Sequence, residues 1–250
     1  MEILNIEIYF LLGLASLCAG FLNALAGGGT FFTLPALLYA GLPPVIANAT
    51  NASILLPGYL GAVIGLRNSL TKVDKFRLFL LVLLVILGSL IGAFLLIVTP
   101  NTVFRELAPW LILLATLLFF LGPVLTKYTD NFIKNNSIEK IGLLTVSTYG
   151  GYFNGGLGIA LMAIFSVSGN KNFDEMLALK SLFSFILTLV SVIIFSFAGL
   201  IFWPLALGMM ILAMLGGYAG GYAALSLSSQ FVNKFVIVVG LIISALLFIY

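Results

Sequence analysis

Four groups of polar and glycine residues interrupt otherwise apolar runs, and together they read as an anion site. The first is Asn23 with Gly27, Gly28, Gly29 and Thr30. Glycine costs about 1 kcal/mol per residue against alanine in a helix interior, so three in succession favour a break. Thr30 can then cap a new half-helix, whose free N–H groups and positive dipole end attract negative charge. The second group has the same form: Asn154 is followed by Gly155, Gly156 and Gly158. A buried Asn must find partners, so Asn23 and Asn154 either coordinate a substrate or clamp an unwound turn. Close helix packing is the competing reading of the glycines.

The third group is Asn48, Thr50, Asn51 and Ser53, beyond the Pro43-Pro44 turn. The fourth is Lys180, Ser181 and Ser184. Lys180 lies five residues past Glu175, roughly 8 Å further along a helix. Within a membrane such a lysine either partners an anion or reaches back to the rim, towards Asp174 or Glu175.

Membrane helices have to hold these groups in place. Of 250 residues, 62% are hydrophobic and 8% charged, where a soluble domain carries about 25% charged residues. The apolar runs are long and do not alternate, which favours helices over barrel strands. Ten apolar segments follow, at about 7–26, 30–41, 46–66, 78–98, 106–126, 141–154, 157–169, 175–198, 205–227 and 234–250. Six of them (46–66, 78–98, 106–126, 175–198, 205–227 and 234–250) reach or approach the roughly 20 residues that a span needs. Segment 30–41 reaches only about 18 Å, and 141–154 and 157–169 are also short. The N-terminal flank has Glu2 and Glu7 and no base, unlike a cleavable signal peptide.

Basic residues orient the chain. If each short pair enters and returns to the same side, Arg67, Lys72, Lys75, Arg77, Lys127, Lys134, Lys140, Lys171 and Lys234 all fall inside, and Arg105 alone falls outside. If each pair is one broken span, Lys171 and Lys234 move outside. The first arrangement is preferred, with both termini outside the cytoplasmic membrane.

The chain also repeats. Gly20, Phe21, Asn23 and Gly27 match Gly151, Tyr152, Asn154 and Gly158 at a shift of 131. Ala49, Gly88, Gly92 and Arg105 match Ala178, Gly217, Gly221 and Lys234 at a shift of 129. Five segments per unit, an odd number, require the second unit to be inverted, as in many secondary transporters. The expected fold is an all-α polytopic membrane protein: a first repeat over 1–126, a cytoplasmic linker over 127–140 and a second repeat over 141–250. Gly88/Gly92 and Gly217/Gly221 read as packing faces, and Trp110 and Trp203 as parts of an interfacial belt.

Other chemistries find little here. There is no histidine, and Cys18 is the one cysteine. That leaves no metal cluster, no disulfide and no nucleophile–base pair, so neither an enzyme nor a cofactor is expected. No segment holds a central Asp or Glu, the usual carboxylate for ion coupling. The net charge of +3 gives no reason to expect nucleic acid, because the basic residues serve orientation.

The stretch "AGFLNALAGGGTFFTLPALLYAGLPPVIANATN" (19–51) resembles the first signature of the sulfite exporter TauE/SafE family of membrane permeases. "YGGYFNGGLGIALM" (149–162) resembles its second, and "GLIFWPLALGMMILAMLGGYAGGYAA" (199–224) its later glycine-rich span. The resemblance covers nearly the whole chain. It implies transport of small sulfur-containing or related organic anions such as sulfite or sulfonates. Many members carry Lys after the Thr-Asn pair, where this chain has Ala52, which leaves Lys180 as the cationic candidate. The expected binding set is Asn23, Gly27, Gly28, Gly29, Thr30, Thr50, Asn51, Asn154, Gly156, Gly158, Lys180 and Ser181. The expected partners are the anion, the bilayer and a coupling ion, proton or sodium, with room for a homodimer. A passive anion channel is the alternative.

Overall fold

The computed structural model describes residues 6–25, 27–70, 74–128, 136–169, 172–223 and 229–249. They form α1 (Ile6–Leu25), α2 (Thr30–Tyr39), α3 (Pro44–Gly65), α4 (Arg67–Leu70), α5 (Lys75–Val98) and α6 (Asn101–Tyr128). The second half holds α7 (Asn136–Tyr152), α8 (Leu157–Val167), α9 (Phe173–Phe197), α10 (Trp203–Ala223) and α11 (Ser229–Ile249). Among the described residues there is no strand. The ten expected segments are all present as helices, and α4 is one added turn in the 67–77 loop. Residues 129–135 of the 127–140 linker lie outside the described residues, as do Lys72, Lys134 and Lys171.

Local chemistry sets the helix starts. Pro44 opens α3, where its missing N–H is no loss. The Asp74 carboxylate accepts the Arg77 N–H at 2.8 Å to cap α5, and the Asn172 side chain accepts that of Glu175 to cap α9.

Five helices among the described residues are long and apolar enough to cross a membrane: α1, α5, α6, α9 and α10. Four of the expected six are among them, and α3 and α11 have the expected length, at 22 and 21 residues. Helix α1 joins the set. Helix α3 has 22 residues, about 33 Å, but Asn48, Thr50, Asn51 and Ser53 dilute its apolarity. The described apolar stretch of α11, Lys234–Ile249, is short. Helices α5 and α10 each present a stripe of large apolar side chains outward, Phe79, Leu83, Leu87, Leu90 and Phe94 on one and Leu207, Ile211, Leu215 and Tyr218 on the other. The spacing of three to four residues makes each a single helix face, suited to lipid and costly in water.

Both short helices double back. A Cβ built on Gly29 would lie 2.9 Å from the Ala19 carbonyl oxygen, so the chain has reversed on α1 within ten residues. In the second pair, Gly142 abuts Ile164 and Gly150 abuts Leu157, the register of an antiparallel hairpin. Each of α1–α2 and α7–α8 is therefore a hairpin.

Hydrogen bonds and ion pairs sort the helix ends onto two faces. Arg77, at the start of α5, pairs with Glu139 near the start of α7 at 2.5 Å and with Glu175 at the start of α9 at 3.5 Å. The starts of α5, α7 and α9 thus share one face, and the α7–α8 hairpin enters and leaves there. A single broken span would have put Glu139 and Glu175 on opposite faces. On the other face, Asn101 at the start of α6 accepts the Val45 N–H of α3. Thr50 of α3 accepts the Phe202 N–H just before α10. Helix α1 runs parallel to α10, with Gly13 against Leu212 and Gly216 against the Leu17 carbonyl. The α1–α2 hairpin therefore opens from this second face, opposite to α7–α8.

The packing partners come in exchanged pairs. Helix α1 packs against α10 as α7 packs against α5, and α3 packs against α10 as α9 packs against α5. The α3–α9 and α6–α11 contacts are their own counterparts. Small residues make the two largest interfaces. A Cβ on Gly20 would lie 1.8 Å from the Ala213 oxygen, and one on Gly92 would lie 2.1 Å from that of Thr148. The contacts also correct the expected register. Gly20 meets Ala213 as Gly151 meets Ser89, and Gly216 meets Leu17 as Gly92 meets Thr148. Helix α10 thus corresponds to α5 at a shift of 124, not 129. Identity matching slid along a glycine-rich helix, whereas backbone contact tolerates no such slip.

Candidate functional site

The two helix breaks meet. Gly27, at φ +84°, and Gly156, at φ +69°, hold left-handed backbone that L side chains rarely adopt. They let α1 and α7 end and the chain reverse. A Cβ placed on Gly27 would lie 3.6 Å from the Gly158 Cα, so the hairpin tips touch backbone to backbone. Beyond the breaks, Gly29 and Gly156 are the N-cap residues of α2 and α8, and neither supplies a side-chain cap. Thr30, the expected cap of α2, is instead its first helical residue, and its hydroxyl accepts from Asn51. The first N–H groups of any helix lack intrahelical acceptors, so two positive helix ends enter the same region from opposite faces.

A buried polar cluster surrounds the tips. Asn154 donates from Nδ2 to the Thr188 hydroxyl at 2.9 Å, and its Oδ1 accepts from the Tyr59 hydroxyl at 3.0 Å. The Asn23 side chain stands beside the same Tyr59 hydroxyl. One tyrosine therefore stands between the two matched asparagines. Tyr59 and Thr188 each lie fifteen residues into their helices, α3 and α9, about 22 Å from starts on opposite faces. The cluster is deep inside the protein from either side.

A second layer braces the breaks. Asn51 donates to Thr30 at 3.3 Å and accepts from Thr33, which ties α3 to the first turn of α2. Asn48 donates to the Tyr152 carbonyl at 2.8 Å, at the open end of α7. Tyr149 donates to the Gly155 carbonyl at 2.6 Å and fixes the second turn. Gly28 packs on Val236 of α11, and Gly156 on Ala115 of α6.

Of the expected binding set, Asn23, Gly27, Gly28, Gly29, Thr30, Asn51, Asn154, Gly156 and Gly158 come together at the tips. Three residues do not. The Thr50 hydroxyl is used by Phe202, and that of Ser181 bonds its own helix at Leu177. Lys180 is half-buried and has no ion pair among the described residues. It stands eight residues before Thr188, about 12 Å along α9. Of the two carboxylates the alternative reading gave Lys180 at the rim, Asp174 and Glu175, the second pairs with Arg77.

Sequence reasoning missed Tyr59, Thr188 and the bracing role of Asn48. A signal existed: Tyr59 and Thr188 stand 129 apart, the shift that relates Ala49 to Ala178. Chemical dissimilarity hid it. A cavity of about 490 Å³ beside α5 and α7 is lined by Ile91, Leu95, Leu144, Thr145, Thr148, Tyr149 and Tyr152. It holds none of the expected binding residues and is mostly apolar. Among the described residues no cluster of His, Cys, Asp or Glu could hold a metal.

Comparison with known proteins places this architecture. The chain is 26% identical to a "Probable membrane transporter protein" of Haemophilus influenzae, over 97% of this chain and 95% of that one. It is 26% identical to the "Probable membrane transporter protein YfcA" of Escherichia coli, over 92% and 86%. With the "Probable membrane transporter protein ORF9" of a Sinorhizobium species it shares 24% over 96% and 92%. No solved structure matches significantly. The family model "Sulfite exporter TauE/SafE" matches residues 12–247, and the chain belongs to that family of membrane transporters.

Proposed function

We propose that the chain carries a small anion, sulfite or a sulfonate or related organosulfur anion, across the cytoplasmic membrane by alternating access. The observation behind this reading is the meeting of two uncapped helix N-termini, from opposite faces, at paired asparagines. Helix N-termini favour anions without any charged side chain, and the tips are shielded from lipid, where unwound backbone is tolerated. The family name supports the substrate class, and the relatives named as transporters support transport.

In this reading residues 1–126 and 141–250 are two inverted repeats joined by a cytoplasmic linker, and the Arg77 face is cytoplasmic by its basic loops. Both termini then lie outside. Rocking of one repeat against the other opens the tips to each side in turn, with a proton or sodium ion as the coupling ion. Lys180, about 12 Å from Thr188 on the Arg77 side, draws the anion towards the tips from the cytoplasm.

Purified protein in liposomes tests this. A carrier gives saturable counterflow of labelled sulfite or sulfonate, and Lys180→Met abolishes that flux. Single-molecule conductance far above carrier turnover would instead identify an anion channel. Unchanged flux in Lys180→Met would remove the lysine from the path.

A further inference from the structure

The two asparagines at the tips are matched in sequence but not in bonding. Asn154 has both ends of its amide paired, with Thr188 and with Tyr59. Asn23 lies beside the Tyr59 hydroxyl, and its Oδ1 has no partner although the residue is only 9% exposed. Tyr59 cannot supply one, because its single O–H proton goes to Asn154. The side chain that carries this acceptor stands beside the α2 entrance: a Cβ on Gly29, the N-cap of α2, would lie 3.3 Å from the Asn23 Cβ.

Helix N-termini offer donors alone, and so accept any oxyanion. A buried acceptor at the same place changes the selection. It repels a bare anionic oxygen and is satisfied by an O–H or N–H, and leaving it unpaired is unfavourable. From this pairing of donors with one free acceptor we infer that the transported anion carries a hydrogen-bond donor of its own, as in a hydroxyl-bearing sulfonate, which the Asn23 Oδ1 receives while the helix ends hold the anionic group. Divalent oxyanions with no proton to give leave the same oxygen unpaired and bind less well than protonated forms such as hydrogensulfite. This rests on the anion-carrier reading and narrows it.

Three sulfonates of one skeleton test it on the intact protein: 2-hydroxyethanesulfonate, 2-methoxyethanesulfonate and ethanesulfonate. The hydroxyl compound donates, the methoxy compound has the oxygen without the proton, and ethanesulfonate has neither. Calorimetric titration should show the hydroxyl compound binding about tenfold or more tightly than both others, the effect of one satisfied buried hydrogen bond. Asn23→Leu should bring the ratio to about one, whatever it does to either affinity alone. Equal binding of all three to the wild type overturns the inference and leaves the carrier reading standing, as does equal binding of the hydroxyl and methoxy compounds. Should these sulfonates, sulfite and sulfate all fail to bind, the anion reading falls, and the inference with it. The wild-type series needs no variant, so a misfolded Asn23→Leu leaves that comparison intact.

Discussion

Tyr59 reaches across the protein to donate to Asn154 while standing beside Asn23. Removing its hydroxyl leaves the Asn154 Oδ1 unpaired beside the already unpaired Asn23 Oδ1. Tyr59→Phe should therefore lower stability by about 1–3 kcal/mol, the cost of a buried acceptor left without a donor. Thermal unfolding in detergent checks this. Thr188→Val deprives one end of the Asn154 amide alone and should cost about 1 kcal/mol. Gly27 tests the backbone. At φ +84° an alanine is strained by roughly 1–2 kcal/mol, and its Cβ would touch Gly158 at only ordinary contact distance. Gly27→Ala should thus lose stability through strain and not through a clash.

Between helices, the α1–α10 and α5–α7 interfaces depend on backbones that approach without side chains between them. Two glycines of α10 separate this effect from helix propensity. A Cβ on Gly208 meets nothing within 4 Å, whereas one on Gly216 would lie 2.0 Å from the Leu17 oxygen. Gly208→Ala should raise stability by about 0.5–1 kcal/mol, because alanine is the better helix former. Gly216→Ala should lower it by about 1–3 kcal/mol, because the two helices must separate. Opposite shifts in unfolding temperature would be the result. Equal shifts would mean that α1 and α10 do not pack as described.

Across the full bundle, Arg77 fastens the starts of three helices on one face. Glu139 is 3% exposed, so Arg77→Gln leaves a buried carboxylate without its cation and should cost about 3–5 kcal/mol. Adding Glu139→Gln should recover most of that loss, because the uncompensated charge is then gone. The two-faced arrangement has its own test. With Cys18 replaced, single cysteines at Lys75 and Lys140 should react with an impermeant thiol reagent from one side of sealed vesicles, and those at Asn101 and Trp203 from the other. Labelling of Lys140 and Trp203 from one side would show that the hairpins do not open to opposite faces.

Composition and local pattern were enough to establish the class, the segments and the existence of two matched breaks. An apolar content that no soluble core could bury fixes the class, and glycine's backbone freedom marks the same weak point twice, at Gly27 and at Gly156. The amides of Asn23 and Asn154 were legible too, because an amide inside an apolar run stands out. What those residues touch emerges only when the helices pack. The touching of Gly27 and Gly158, the position of Tyr59 between the two amides, the use of the Thr50 hydroxyl by Phe202 and the separation of Lys180 from the tips are contacts between residues far apart in the chain. So is the shift of 124 between α5 and α10. Local composition carries propensity, and hence where helices begin and break. Which faces meet depends on the shape of neighbouring backbones to within an ångström or so, and no run of residues encodes that alone.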